Sequence, residues 1–227
     1  MLQLPQIKTT GTLSDKTYEI LKNAIIVLDL KPGELITVEG ISEQLGVSRT
    51  PIRTALNSLI NDGLVEMIPG KGTFVKRLSQ KEAIDLLNVR ELLECYSAKL
   101  AALSRTDVNL KELEQTMNST EYVFRSGYNS HEILEYDTKF HSTIAKISGN
   151  SYLEKQLIVM LDNCRRYLNA STFQFMSEEV IVEHRELFEQ IKNQDAEKAE
   201  MCVKKHIGNI KNRMMEYIDS NINENTD

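Results

Sequence analysis

Only two stretches of the chain read as short strands, Leu64 to Ile68 and Thr73 to Lys76, and they flank the tight-turn sequence Pro69-Gly70-Lys71-Gly72. Almost everywhere else apolar residues recur at helical spacing, so the fold must be mainly α with one hairpin. Three helical segments precede that hairpin. The first carries Tyr18, Leu21, Ile25 and Leu28 on one face, and Lys31-Pro32-Gly33 stops it. A second runs from about Val38 to Leu45 and breaks at Gly46. Ser48 is a good N-cap for the third, and Pro51 falls in its first turn, where a missing N–H costs little. Ile52, Ala55, Leu56, Leu59 and Ile60 form its inner face, and Asn61-Asp62-Gly63 ends it. Helix, helix, turn, helix, hairpin is the order of a winged helix-turn-helix.

From about Ser79 the pattern is helical almost to the end, with no convincing strand. Helices are expected near 80–104, 107–126, 130–148, 151–172, 177–193 and 195–220, parted by Gly127, Gly149-Asn150 and Asn193-Gln194-Asp195. The expected organisation is a flexible N-terminal arm over 1–12, the winged helix over 13–77 and an all-α six-helix bundle over 78–227. A chain of 227 residues, 41% hydrophobic and 26% charged, can hold both domains. No apolar run approaches the roughly 20 residues of a membrane helix, so no membrane span is expected. Met1 to Leu13 lacks the basic and apolar regions of a secretory signal. Cys95, Cys164 and Cys202 are far apart and without CxxC spacing, which fits buried structural thiols in a reducing cytoplasm.

A net charge of −6 argues at first against a nucleic-acid partner. Divided at residue 78, the chain argues otherwise. Residues 1–78 hold nine basic and eight acidic side chains, against eighteen and twenty-five over 79–227. Within 49–77, Arg49, Arg53, Lys71, Lys76 and Arg77 face only Asp62 and Glu66. The acidity belongs to the bundle, and the winged helix carries a local basic patch suited to double-stranded DNA.

A recognition helix presents its first turn to base edges while other groups grip phosphates. Arg49 and Arg53 are four residues apart, so both guanidinium groups leave the face opposite the apolar one and can pair with guanine or clamp phosphate. Ser48 and Thr50 add hydroxyls, and the free N–H groups of the helix start favour an anion. The tip Gly70-Lys71-Gly72 can carry Lys71 into a neighbouring minor groove.

In the bundle, three of the four histidines stand where an apolar residue is expected. Asp137 and His141 are four apart on the stripe Leu134, Asp137, His141, Ile144, Ser148. His184 interrupts Val180, Leu187, Phe188 and Ile191, and His206 interrupts Ala199, Val203, Ile210 and Met214. Burying an Asp and three imidazoles without partners is costly, and a divalent cation offsets that cost. Such an N/O set suits Zn²⁺, Ni²⁺, Mn²⁺ or Fe²⁺, with zinc the first choice. Further coordination positions would remain for a small carboxylate. His131, beside polar residues at a loop edge, reads as solvated. Arg90 lies between Leu86, Leu87 and Leu93 on an inward stripe, either pairing a ligand carboxylate or bridging to Glu94 one turn on. Asn163, Arg165 and Arg166 are vaguer candidates, on a helix whose inward face the sequence leaves open.

Two resemblances rest on these segments. Lys31-Pro32-Gly33-Glu34, Leu45-Gly46-Val47-Ser48-Arg49-Thr50-Pro51-Ile52-Arg53-Thr54-Ala55-Leu56, Gly63-Leu64-Val65 and Gly72-Thr73-Phe74-Val75 closely resemble the winged helix of the GntR family of transcriptional regulators. The resemblance implies a homodimer on a palindromic operator, with Arg49 and Arg53 as the main contacts and Ser48, Thr50, Lys71 and Gly72 assisting. Some members have a basic residue where this chain has Glu39, so no DNA contact is assigned there. Lys71 stands where the wing often has arginine. Asp137-Thr138-Lys139-Phe140-His141, Glu183-His184-Arg185-Glu186-Leu187 and Ala199 through His206-Ile207 look like the FCD effector domain, of the shorter VanR-like variety. That implies a metal on Asp137, His141, His184 and His206 at the floor of a cavity, where it helps bind an organic acid. It also tilts Arg90 toward the ligand.

The resulting expectation is a repressor answering to a small carboxylate. One alternative makes the metal itself the signal. Another is a bundle-type metalloenzyme, for which no second carboxylate or nucleophile is clearly aimed at the site, although Glu183 adjoins His184 and Cys202 lies one turn before His206.

Overall fold

The computed structural model describes residues 12–170 and 176–224, with side chains as far as Met215. The arm expected over 1–12 lies, up to residue 11, outside the described residues, as does the end of the helix expected over 151–172. The chain forms two compact units, Met1–Arg77 and Leu78–Asp227.

In the first unit, α1 (Leu13–Ile26) starts at a reciprocal cap: Asp15 N donates to Thr12 Oγ1 at 3.2 Å and Thr12 N donates to Asp15 Oδ2 at 2.7 Å. The helix stops well before Pro32. Leu28 takes φ 68°, and Leu30 N reaches back to Ala24 O at 3.0 Å, closing the end of the helix. Leu28 is therefore outside the helical stripe to which its spacing assigned it. β1 (Leu35–Ile36) follows, then α2 (Val38–Leu45), α3 (Arg49–Asn61), β2 (Val65–Ile68) and β3 (Gly72–Val75).

The sheet has three strands in the order β1-β3-β2, all antiparallel, so the hairpin acquires a short third strand that the sequence pattern does not announce. Leu21 and Ile25 of α1 meet Ile52, Leu56 and Leu59 of α3 and Ile36 and Val75 of the sheet in one core. Tyr18 donates its hydroxyl to Asp62 Oδ2 at 2.6 Å, tying α1 to the end of α3. Gly46, at φ 64°, makes the left-handed C-cap that turns α2 toward α3, a conformation that costs glycine little.

The second unit is all helical among the described residues: α4 (Gln80–Ser104), α5 (Asp107–Arg125), α6 (Ser130–Ile147), α7 (Ser151–Ala170), α8 (Glu178–Lys192) and α9 (Ala196–Glu224). Ser79, Thr106 and Asn129 cap α4, α5 and α6 through their side chains, which is why these starts agree with the sequence. α4 is the hub, packing against α6, α7, α8 and α9. Its buried Ala98, Ala101 and Ala102 allow close approach, and Phe140, Leu187, Val203 and Ile207 fill the core around them. The mainly α architecture with a small winged sheet thus agrees with the sequence. No helix among the described residues is long and apolar enough to cross a membrane.

Candidate DNA-reading surface and metal centre

Ser48 occupies the N-cap of α3 with extended backbone, but its side chain makes no capping hydrogen bond. Its hydroxyl is thus not committed to the helix start. Arg49, Thr50 and Arg53 are exposed, while Ile52, Ala55, Leu56 and Leu59 on the opposite face are buried. Arg49 Nη2 lies 3.5 Å from Glu39 Oε1 across the turn, with both side chains largely in solvent. At the wing tip Lys71 N donates to Ile68 O at 3.0 Å, and Lys71 and Gly72 are exposed. Gly72 has φ 125°, and a Cβ there would stand 3.0 Å from Leu35 Cδ1, so this position favours glycine twice over.

In the bundle, α6 contributes Asp137 and His141, α8 contributes His184 and α9 contributes His206, all buried. One ligand nitrogen from each histidine lies within 4.8 Å of the other two, an arrangement that could hold a metal ion. Asp137 Oδ1 stands 3.4 Å from His184 Nε2 and 3.8 Å from His141 Nε2. The His141 and His206 rings stack with centroids 5.3 Å apart, and Phe140 lies against His184 at 4.6 Å. Cys202 does not join this group. Burial pushes the pKa values of His184 and His206 down, helped for both by neighbouring positive charge, so both imidazoles are neutral with a lone pair to offer.

The donors fit a divalent cation on their own evidence. Both nitrogens of His184, Nε2 of His206 and Oδ1 of Asp137 are buried without a hydrogen-bond partner among the described residues. Leaving so many buried polar atoms unmade costs about 1–3 kcal/mol for each, which a bound ion would relieve.

Of the two alternatives for Arg90, the structure contains the bridge to Glu94. Arg90 Nε donates to Glu94 Oε1 at 2.5 Å, while Nη2 is buried and unpartnered, a free donor for a carboxylate. Burial opposes ionisation of Glu94, but Arg90 and His141 outweigh it and hold the carboxyl well below its usual range. His141 Nδ1 is 2.8 Å from Glu94 Oε2, an electrostatic contact without hydrogen-bond alignment. Arg90, Glu94 and His141 therefore form one chain of contacts. Burial, with Glu94 adding to it and Arg90 opposing it, pushes the thiol of nearby Cys164 up to about 11, which keeps it an inert core group. Beside Cys164 lies a void of about 10 Å³ lined by Ala83, Leu87, Leu168 and Met214, room for about one water.

Of the vaguer candidates, Asn163 and Arg166 point inward and Arg165 is half-buried. Asn163 Nδ2 donates to Val159 O at 3.0 Å, and the Arg166 guanidinium lies over the Tyr167 ring. His131 is not solvated as expected. It sits in the first turn of α6, half-buried with Nδ1 shielded, because helix formation from Ser130 draws it off the loop. Sequence spacing offered the Arg90–Glu94 bridge but missed the approach of Glu94 to His141 and of Glu183 to His206, whose Nδ1 lies 2.7 Å from Glu183 Oε2 across two helices.

Residues 13–75 match the bacterial regulatory proteins of the gntR family, and residues 85–209 match the FCD domain. The chain is 31% identical over 191 residues to an uncharacterized HTH-type transcriptional regulator, YdhC, of Bacillus subtilis, covering 83% of this chain and 85% of that protein. It is 24% identical to the HTH-type transcriptional repressor RspR of Escherichia coli, covering 90% of each. The solved structure of E. coli McbR/YncC shares the fold, with a TM-score of 0.79 at 22% identity over 92% of this chain and all of the other. The chain belongs to the GntR family of DNA-binding transcriptional regulators, in the group whose effector domain is FCD.

Proposed function

We propose that the protein is a homodimeric, cytoplasmic repressor that releases a palindromic operator when a small organic acid enters a metal-containing site. The observation that carries this reading is the buried triad of His141, His184 and His206, with Asp137 Oδ1 3.4 Å from His184 Nε2 beside it, unsatisfied lone pairs, and the unpartnered Nη2 of Arg90 in the same bundle. The four side chains hold one divalent ion per subunit, zinc by preference among zinc, nickel, manganese and iron. When bound, the ion supplies a Lewis-acidic point for a ligand carboxylate. Arg90 pairs with the ligand's charge, and its present bond to Glu94 sets what that capture must displace. On the DNA side, Arg49 and Arg53 read bases, Ser48 and Thr50 hold phosphate, and the wing tip at Gly72 carries Lys71 into a neighbouring minor groove. Repression is the mode named for the E. coli relative RspR.

The homodimer is supported by α4. Most core helices show solvent a polar face, yet α4 exposes Val89, Leu92, Tyr96 and Leu103 on one stripe, with Leu92 72% and Leu103 61% exposed. A helix apolar on two faces calls for cover on both. Leu92→Glu is expected to convert the dimer to monomer by sedimentation, with the bundle still folded; a dimer of unchanged stability would move the interface elsewhere.

Operator affinity of chelated and zinc-loaded protein, with and without a panel of small carboxylates, tests the reading. The expected result is weaker DNA binding only when zinc and the right acid are both present. A response to zinc alone would make the ion the signal. No response to any combination would defeat sensing at this site.

A further inference from the structure

We infer that Glu183, clamped by Asn209, is a positioning residue of the metal centre: it holds His206 with Nδ1–H toward its carboxylate and Nε2 turned to the ion. The inference rests on the metal reading above and deepens it. Glu183 Oε2 lies 2.7 Å from His206 Nδ1, and Asn209 Nδ2 donates to Glu183 Oε1 at 2.6 Å, so both carboxylate oxygens are engaged. An ionised carboxylate only accepts, so the ring nitrogen facing it must carry the proton. A neutral imidazole has a single N–H, which leaves Nε2 as a bare lone pair. That atom is buried and without a hydrogen-bond partner among the described residues. Asn209 follows His206 by three residues, which puts both on one face of α9, and Glu183 reaches them from α8 beside His184.

The three histidines differ in this respect. Glu94 stands 2.8 Å from His141 Nδ1, but its other oxygen is bonded to Arg90, so it is shared with the ligand-facing charge. His184 has no hydrogen-bond partner among the described residues, and the Asp137 oxygen 3.4 Å from its Nε2 belongs to the ligand set itself. Glu183 alone is dedicated to holding a ring. It fixes the ligand geometry of α9 independently of what happens at Arg90.

The test uses the full-length protein, Glu183→Gln and Asn209→Ala. ¹⁵N NMR of the chelated wild type should show His206 as the Nδ1–H tautomer. Competition against a chromophoric chelator should give zinc binding about 10–100-fold weaker in Glu183→Gln, with a smaller loss in the same direction for Asn209→Ala. Melting temperatures of the chelated proteins should agree, and the Co²⁺ absorption spectrum should shift in Glu183→Gln. An Nε2–H tautomer in the wild type, or unchanged zinc affinity in both variants, overturns the positioning role while leaving the metal site intact. A wild type that takes up neither Zn²⁺ nor Co²⁺ overturns the metal reading itself, and with it this role.

Discussion

Replacing Arg49 or Arg53 by alanine is expected to weaken operator binding by about 30-fold to 10⁴-fold. A bidentate arginine–guanine contact discriminates by about 1–3 kcal/mol, and in a homodimer each substitution removes the contact from both half-sites. Fluorescence anisotropy at fixed salt, on operator and on scrambled duplex, separates the possibilities. A loss confined to the operator means base reading; an equal loss on both duplexes means phosphate contact, with a shallower salt dependence. Glu39 supplies a change of opposite sign. Its carboxylate stands 3.5 Å from Arg49 Nη2 on the exposed surface, where it competes with DNA for that charge. Glu39→Gln should tighten binding to any duplex by a few-fold, while Arg49→Ala/Glu39→Gln should show no such gain.

The second large effect is expected at His184. Zinc at about a thousand times its dissociation constant would stabilise the folded protein by about 4 kcal/mol. For a unit of this size that is roughly 8–16 °C in melting temperature. His184→Ala should abolish this zinc-dependent increment, and Asp137→Ala should reduce it. The comparison is made between zinc and chelator for each variant, because removing His184 also strips the Phe140 ring of its neighbour at 4.6 Å and lowers stability without metal. An undiminished zinc increment in His184→Ala would remove that residue from the metal site.

The helices of the second unit were legible because their starts are written locally, in Ser79, Thr106 and Asn129, and their apolar stripes run long. The first unit was less so. β1 has only two residues, too few for any periodicity, and it exists because β3 offers it a ladder. α1 ends at Ile26 because Leu28 adopts a left-handed conformation usually left to glycine, and the sequence gives no sign of that.

The histidines stood out as polar interruptions of helical stripes, and folding brings their nitrogens within 4.8 Å. Which rings the neighbouring carboxylates would meet was not legible. Glu183 and His206 are 23 residues apart, and they meet only because α8 and α9 pack against one another. Spacing within one helix finds which side chains share a face, but not which helices will meet.

α4 carries unlike residues on opposite sides, Arg90 and Glu94 inward and Val89, Leu92 and Tyr96 outward, along 25 unbroken residues. Each residue in a helix advances about 100° around the axis. A single inserted or deleted codon within this stretch would therefore turn the downstream charges toward solvent and drive apolar residues into the bundle together. A substitution here alters one contact, whereas a change of length misplaces every contact downstream of it. Functional descendants of this gene should vary freely in the loops between helices and keep the residue count of α4 fixed.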